Sequence, residues 1–191
     1  MNKRLFLLSG TAVAAAQVLP GCSTTSGSTT SDAASKRAKI DASVDNALAS
    51  LYPQASGSRE MVAKARGMLV FPSVITAGLG IGGSYGEGAL RVGGKSTGYY
   101  STAGGSFGLI AGAESKALYI LFMNDEALAK FMSSKGWTAG VDANVTVAKT
   151  SAEANVNTAT MQAPVVAYAV SNGGLIANVT LDGTKVTKLD I

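Results

Sequence analysis

The patterns with the most obvious chemical promise lie between Ala77 and Tyr100. Gly78-Leu79-Gly80-Ile81-Gly82-Gly83 satisfies G-x-G-x-x-G, the turn that brings a dinucleotide pyrophosphate onto a helix N-terminus. That chemistry needs a helix to open at the run. Ser84-Tyr85-Gly86-Glu87-Gly88 follows instead, which forms helix poorly and leaves no room for a βαβ unit. Gly93-Gly94-Lys95-Ser96 invites a phosphate-loop reading, but that motif needs a glycine five positions before its Gly-Lys pair, where Ala89 stands. Its flanks read as a hairpin. Glu87, between two glycines, could exchange protons, but no partner sits at a fixed spacing, and it reads as a turn or backbone ligand. The chain has no histidine and one cysteine. This excludes an intrachain His/Cys zinc site, a Ser-His-Asp triad, a Cys-His pair and an intrachain disulfide. The residues therefore point away from an enzyme, and no cofactor or metal is expected.

The glycines make better sense as strand geometry. Gly78, Gly80 and Gly82 share one face of a strand, and Leu79 and Ile81 share the other. One side is nearly bare backbone. It suits a sharp bend, or the close approach of a helix or ligand.

The N-terminus reads as an export signal. Lys3 and Arg4 give a positive start, and Leu5 to Leu19 is apolar. As a helix this stretch is roughly 22 Å long, short of the about 20 residues a membrane span needs. Leu19-Pro20-Gly21-Cys22-Ser23 then resembles a bacterial lipobox, in which Cys22 becomes the acylated N-terminus of the mature chain. Residues 1–21 are read as the lipoprotein signal peptide. Ser23 after the cysteine follows the convention for outer-membrane sorting, so the expected location is the cell envelope, at the outer membrane. Of 16 basic residues, Lys3 and Arg4 belong to the leader, which leaves 14 against 12 acidic ones. Nucleic acid is not an expected partner.

Residues 22–35 are small and polar and read as a flexible spacer. Lys36 to Leu51 has helical periodicity, with Ile40, Val44, Ala47, Leu48 and Leu51 on one face and Pro53 at its end. Ser58 could cap a second helix running to about Arg66, with Met61, Val62 and Ala65 inward. Short strands are expected from Met68 onward, the most apolar being Ala117 to Met123. Asn124 caps a third helix with Leu128, Phe131 and Met132 as its buried stripe and Gly136 at its C-cap. A strand over Ala139 to Ala148, a hairpin of Val165–Ser171 with Leu175–Leu181, and a last strand over Thr184–Leu189 complete the chain. Trp137 reads as core. The connections are too short for parallel crossovers. The fold class is α+β: a strongly curved or barrel-like, mainly antiparallel sheet, with N-terminal helices and one internal helix, over residues 36–191.

Several long stretches, in order, carry a resemblance. They are "KARG" at Lys64, "MLVFPSVITAGLGIGGSYGEGAL", "GYYSTAGGSFGLIAGA", "LYILFMNDEALAKFMSSKGWTAGVDANV" and "VVAYAVSNGGLIANVTLDGTKVTKL". Together they resemble the SYLF, or Ysc84-type, domain over about Gly57 to Leu189. The resemblance implies a lipid-binding module. Eukaryotic members bind phosphoinositides, with actin binding in the yeast branch, and bacterial members pair the domain with a lipoprotein signal. The family's lipid binding is associated with an amphipathic N-terminal helix and basic residues near the domain start. Here these correspond to Lys36–Leu51 and to Lys64 and Arg66. Where the family often carries a lysine before its glycine-rich segment, this chain has Thr76, and Leu79 replaces a phenylalanine.

The expected headgroup-binding residues are Lys36, Arg37, Lys39, Arg59, Lys64 and Arg66, with Cys22 as the lipidation site. The leading expectation is a tethered, non-catalytic module for anionic phospholipid, including phosphoinositide, headgroups. The alternative is a structural envelope lipoprotein that acts through a protein partner, in the envelope or on a host.

Overall fold

The computed structural model describes residues 29–148, 162–171, 174–175 and 181–191. Helices α1 (Thr29–Gln54) and α2 (Ser58–Lys64) lead into two long strands, β1 (Gly67–Val92) and β2 (Lys95–Phe122). Helix α3 (Asp125–Ser133) follows, and then short strands: β3 (Trp137–Thr138), β4 (Thr146–Val147), β5 (Val165–Ser171), β6 (Gly174–Leu175) and β7 (Lys185–Lys188). The fold is α+β. The sheet order is β3-β7-β2-β5-β4, with β1 also on β2 and β6 on β5, and every pairing is antiparallel except β4 with β5.

The expected series of short strands is in fact one ribbon. β1 pairs with β2 from Gly67↔Phe122 to Val92↔Lys95, interrupted by irregularities after Phe71, Leu79 and Leu90. Pro72, which has no N–H to give to a ladder, sits within the first of these. Gly93 and Gly94, at φ 58° and 78°, close the ribbon with the paired left-handed residues that a tight hairpin turn requires. This is the hairpin expected in place of a phosphate loop.

Near its middle the ribbon folds back on itself. A Cβ at Gly78 would fall on the Gly82 backbone, and one at Gly82 would lie 2.7 Å from the Ala77 carbonyl oxygen. Farther along, a Cβ at Gly86 would stand 2.7 Å from the Ser73 carbonyl oxygen, and one at Gly88 would overlap the Val70 carbonyl. The later half of β1 thus lies against its earlier half. The bare strand face is the inside of this fold. The hydroxyl-bearing Thr76 is buried on that same inner side.

The alternation of strand side chains then builds two cores. Leu69, Phe71, Leu118, Ile120, Phe122, Val165 and Ala167 face α3, with Phe131, Trp137 and Val186 among them. Their neighbours Met68, Val70, Tyr119, Leu121, Val166, Tyr168 and Val170 face α1, with Val44, Ala47, Leu51 and Met61. Burial on both faces explains why these strands read as unbroken apolar runs. Trp137 is core, standing edge-on to Phe122 and Phe131. Tyr119 donates to the Ala47 carbonyl at 2.6 Å, which ties α1 to the sheet. Burial pushes its phenol up to about 12.

Several local expectations need correction. α1 starts at Thr29, so residues 29–35, read as spacer, are helical. Asp32 suits the positive end of the dipole, and Ala33 and Ala34 are good helix formers. Pro53 stands inside the last turn and does not end the helix. Gly57, not Ser58, caps α2, and Ser58 is buried as its first residue. Asn124 caps α3 as expected, accepting from the Ala127 N–H at 2.8 Å. Its C-cap is Ser134, however, and Met132 is exposed. Glu87 lies within a strand and is no turn residue. Of the strand expected over Ala139–Ala148, only Thr146–Val147 forms. Gly140 takes a left-handed φ of 82°, and Asp142 folds back to accept from the Thr138 N–H. The last strand is shorter than expected, at Lys185–Lys188. The hairpin opens as expected with Val170↔Leu175 and Ser171↔Gly174, and residues 172–173 and 176–180 lie outside the described residues.

A Gly88→Ala chain should lose about 3 kcal/mol of stability, because a carbonyl oxygen cannot step aside as a flexible side chain would. Gly83→Ala, whose Cβ would meet nothing closer than 3.9 Å, should be near neutral. Urea unfolding of both variants checks this, and equal effects would contradict the fold-back constraint.

Candidate functional site

Helix α1 lies along the ribbon and meets it through two polar clusters beyond the apolar core. At the hairpin end, Asp41 accepts from Ser96 Oγ at 2.5 Å and from Tyr99 OH at 2.9 Å. Arg91 reaches from β1 to Asp45 at 2.8 Å and to the Asp41 carboxylate at 3.8 Å, and it donates to the Asp41 carbonyl. Two acids of α1 are thereby turned onto the sheet. The Tyr99 hydroxyl is raised above its ordinary value by burial and by its bond to Asp41. Three of these residues, Arg91, Ser96 and Tyr99, stand fifty or so positions from their partners on α1, and no local motif marks them.

Nearer the start of α1, Lys36 Nζ bonds Glu87 Oε1 at 2.9 Å, and Tyr85 OH donates to the same oxygen at 2.8 Å. The lysine hydrogen bond is the chief reason the Glu87 carboxyl titrates below its usual range, and burial opposes it. Tyr85 moves the other way, raised mainly by its bond to Glu87. The cluster reads as a strut between helix and ribbon.

The structure divides the six expected headgroup residues into two groups. Lys36, Arg37 and Lys39 lie on the early turns of α1. Arg59 stacks over the Tyr52 ring at 4.4 Å, beyond the far end. Sixteen helical residues separate Lys36 from Tyr52, about 24 Å. Lys64 ends α2, and Arg66 faces Asp125 at 3.6 Å with both side chains exposed. Arg37, Lys39 and Lys64 carry no ion pair among the described residues. Cys22 lies outside the described residues.

Sequence reasoning missed an open cleft of about 440 Å³ between α1 and the sheet. Ser43, Asn46, Ser50 and Gln54 line it from the helix, and Ser115, Lys116 and Ser171 from the strands. No carboxylate lines it, and Lys116 is its sole cation, without an ion pair among the described residues. The i, i+3, i+7, i+11 spacing of the helix residues was the available signal. Among the described residues no group of acids, cysteines or histidines is placed to hold a metal ion. None of the described helices is long and apolar enough to cross a membrane.

Residues 103–190 match the family described as Ysc84, "Las17-binding protein actin regulator". Over that segment the chain is similar to a Ysc84-type domain. Its description is that of a binding protein and actin regulator, not of an enzyme. The matched segment begins inside β2, so α1, α2 and all six expected headgroup residues precede it. No curated protein matches the chain.

The strut gives a pH signature. Glu87 has a lowered folded pKa, so its contribution is present above its ordinary value near 4.5 and is lost as pH falls through the depressed folded value. Lys36 and Glu87 are 40% and 29% exposed, which holds the contribution below about 1 kcal/mol. Urea unfolding across pH should show the native chain slightly more stable than Glu87→Gln at neutral pH, with the gap closing in acid. A gap that widens in acid would contradict the assignment.

Proposed function

We propose that this protein is a non-catalytic module tethered to the outer membrane through an acylated Cys22, and that it binds anionic phospholipid headgroups through the cations of its N-terminal helices. The observation that carries this reading is a separation of charge across α1. Asp41 and Asp45 are turned onto the sheet by Arg91, Ser96 and Tyr99. Arg37 and Lys39 on the same helix, and Lys64 on α2, remain without acidic partners among the described residues. Asp32 is the remaining acid of α1. Each basic residue near an anionic surface is worth about 1 kcal/mol, and stable anchoring takes more than one signal, such as acyl chains with a basic patch. The Lys116 cleft offers a further cation among hydroxyl and amide groups.

A second reading has its own support. The family's description names a protein partner, and of the cations named above the matched segment holds Lys116 but none of those on α1 and α2. A structural lipoprotein acting through an envelope or host protein would use that C-terminal half.

Flotation of the mature chain, residues 22–191 with Cys22→Ala and so without the apolar leader, on neutral and on anionic vesicles, separates the two. The change removes acylation, and the difference between vesicles reports headgroup charge alone. Anionic vesicles should be preferred, and Arg37→Ala, Lys39→Ala and Lys64→Ala together should weaken that binding roughly a hundredfold. Added salt should shrink the difference. No preference for anionic vesicles would refute the headgroup reading and favour the protein partner.

A further inference from the structure

We propose that the outer face of the ribbon's bend, carrying Ile75, Leu79, Ile81 and Tyr85, seats in the apolar layer of a lipid bilayer. The proposal rests on the membrane reading above and adds an apolar contact to its charged one.

These four are the most concentrated exposed apolar side chains among the described residues. Leu79 is 83% exposed, Ile81 70%, Ile75 54% and Tyr85 52%. All occupy odd-numbered positions on one face of one strand, so they form a patch and not a scatter. The usual placement is inverted here, with apolar side chains on the outside of a fold whose inside is glycine. The inside cannot accept them, because the Gly78 and Gly82 positions already bring backbone against backbone. A shift of one residue in register would drive side chains into that contact, so the apolar face is held outward by sterics.

The surroundings select a bilayer as the occupant. No charged residue occurs from Gly67 to Gly86, or on the facing strand from Ser96 to Ala113, and the charges Glu114 and Lys116 stand only at the Ile75 end, paired with Thr76 and Val74. None of the four side chains lines the Lys116 cleft, and a fluid bilayer needs no groove to receive them. Ladder pairing continues on both sides of the bend, from Val74↔Lys116 to Leu79↔Ala111 and from Ile81↔Phe107 onward. Entering backbone thus brings part of its hydrogen bonding with it. The patch also ends in the right order. Beyond Ile81 comes Tyr85, an aromatic ring with its hydroxyl on Glu87, and beside Glu87 stands the Lys36 ammonium. Aliphatic, aromatic with a polar tip, then cation is the order of acyl layer, interface and headgroup. Finally, six residues lie between Cys22 and Thr29, so an acyl anchor at Cys22 leaves the start of α1 within about 25 Å of the membrane.

The test uses the same mature chain, residues 22–191 with Cys22→Ala, and a polarity-sensitive fluorophore on Ile81→Cys or, for comparison, on Glu126→Cys in α3. Each is mixed with anionic vesicles, with and without a quencher on the lipid acyl chains. The label at position 81 should shift to the blue, brighten and be quenched, and the label at 126 should do none of these. Leu79→Ala with Ile81→Ala should weaken vesicle partitioning roughly tenfold per residue. Both side chains already stand in water, so circular dichroism should be unchanged. A label at 81 that stays in water while the chain prefers anionic vesicles would overturn this proposal and leave the headgroup reading intact. A buried label with no preference for anionic over neutral vesicles would support the apolar seat and remove the headgroup reading. A chain that joins no vesicle would end both.

Discussion

The close approach of β1 to itself is the constraint on which the rest of the molecule depends. A two-stranded ribbon of this length is unstable alone in water. Folding it back turns it into its own packing partner, and this needs backbone to touch backbone at Gly78, Gly82, Gly86 and Gly88. The apolar run Met68–Phe71 is then in register with Leu118–Leu121. α1 and α3 then have opposite faces to cover. The hairpin end of the ribbon is brought under α1, where Arg91, Ser96 and Tyr99 receive its acids. A side chain at any of the contact glycines would act on all of these at once.

The same constraint divides the surface. What is small must face in, so what is large faces out. The bend presents aliphatic side chains to solvent, and α1 presents cations while Asp41 and Asp45 are held against the sheet. An exposed apolar face and basic residues without ion pairs among the described residues thus stand on one piece of geometry. The Ysc84-type match covers the C-terminal half of the chain, whereas these features lie on α1, α2 and β1.

Much of this was legible in the residues. The helical face of α1 was visible in the spacing of Ile40, Val44, Ala47 and Leu51. Asn124 announced its cap, and the alternation of Gly78 and Gly82 with Leu79 and Ile81 announced a bare face. What could not be read was long-range. Glycine signals a break and a bend alike, so a series of short strands was expected where two bent ones stand. Asp41 finds Ser96 and Tyr99, and Lys36 finds Glu87, only because the ribbon folds back, and no local spacing encodes those meetings. Met132 lies on the expected apolar stripe of α3 but outside the area the sheet covers. The Lys116 cleft was hidden for the same reason, since Ser115 and Lys116 lie at least sixty positions from its helix wall and Ser171 more than a hundred.

Backbone amide hydrogen exchange of the full chain, with and without anionic vesicles, tests the central claim most directly. The ribbon's bend and the start of α1 should form one membrane-facing surface. The account predicts slowed exchange at Ile75–Tyr85 and at Lys36–Lys39, with α3 unchanged. Slowed exchange at α3 and β3, with the bend unaffected, would place the contact on the opposite side of the molecule and contradict it.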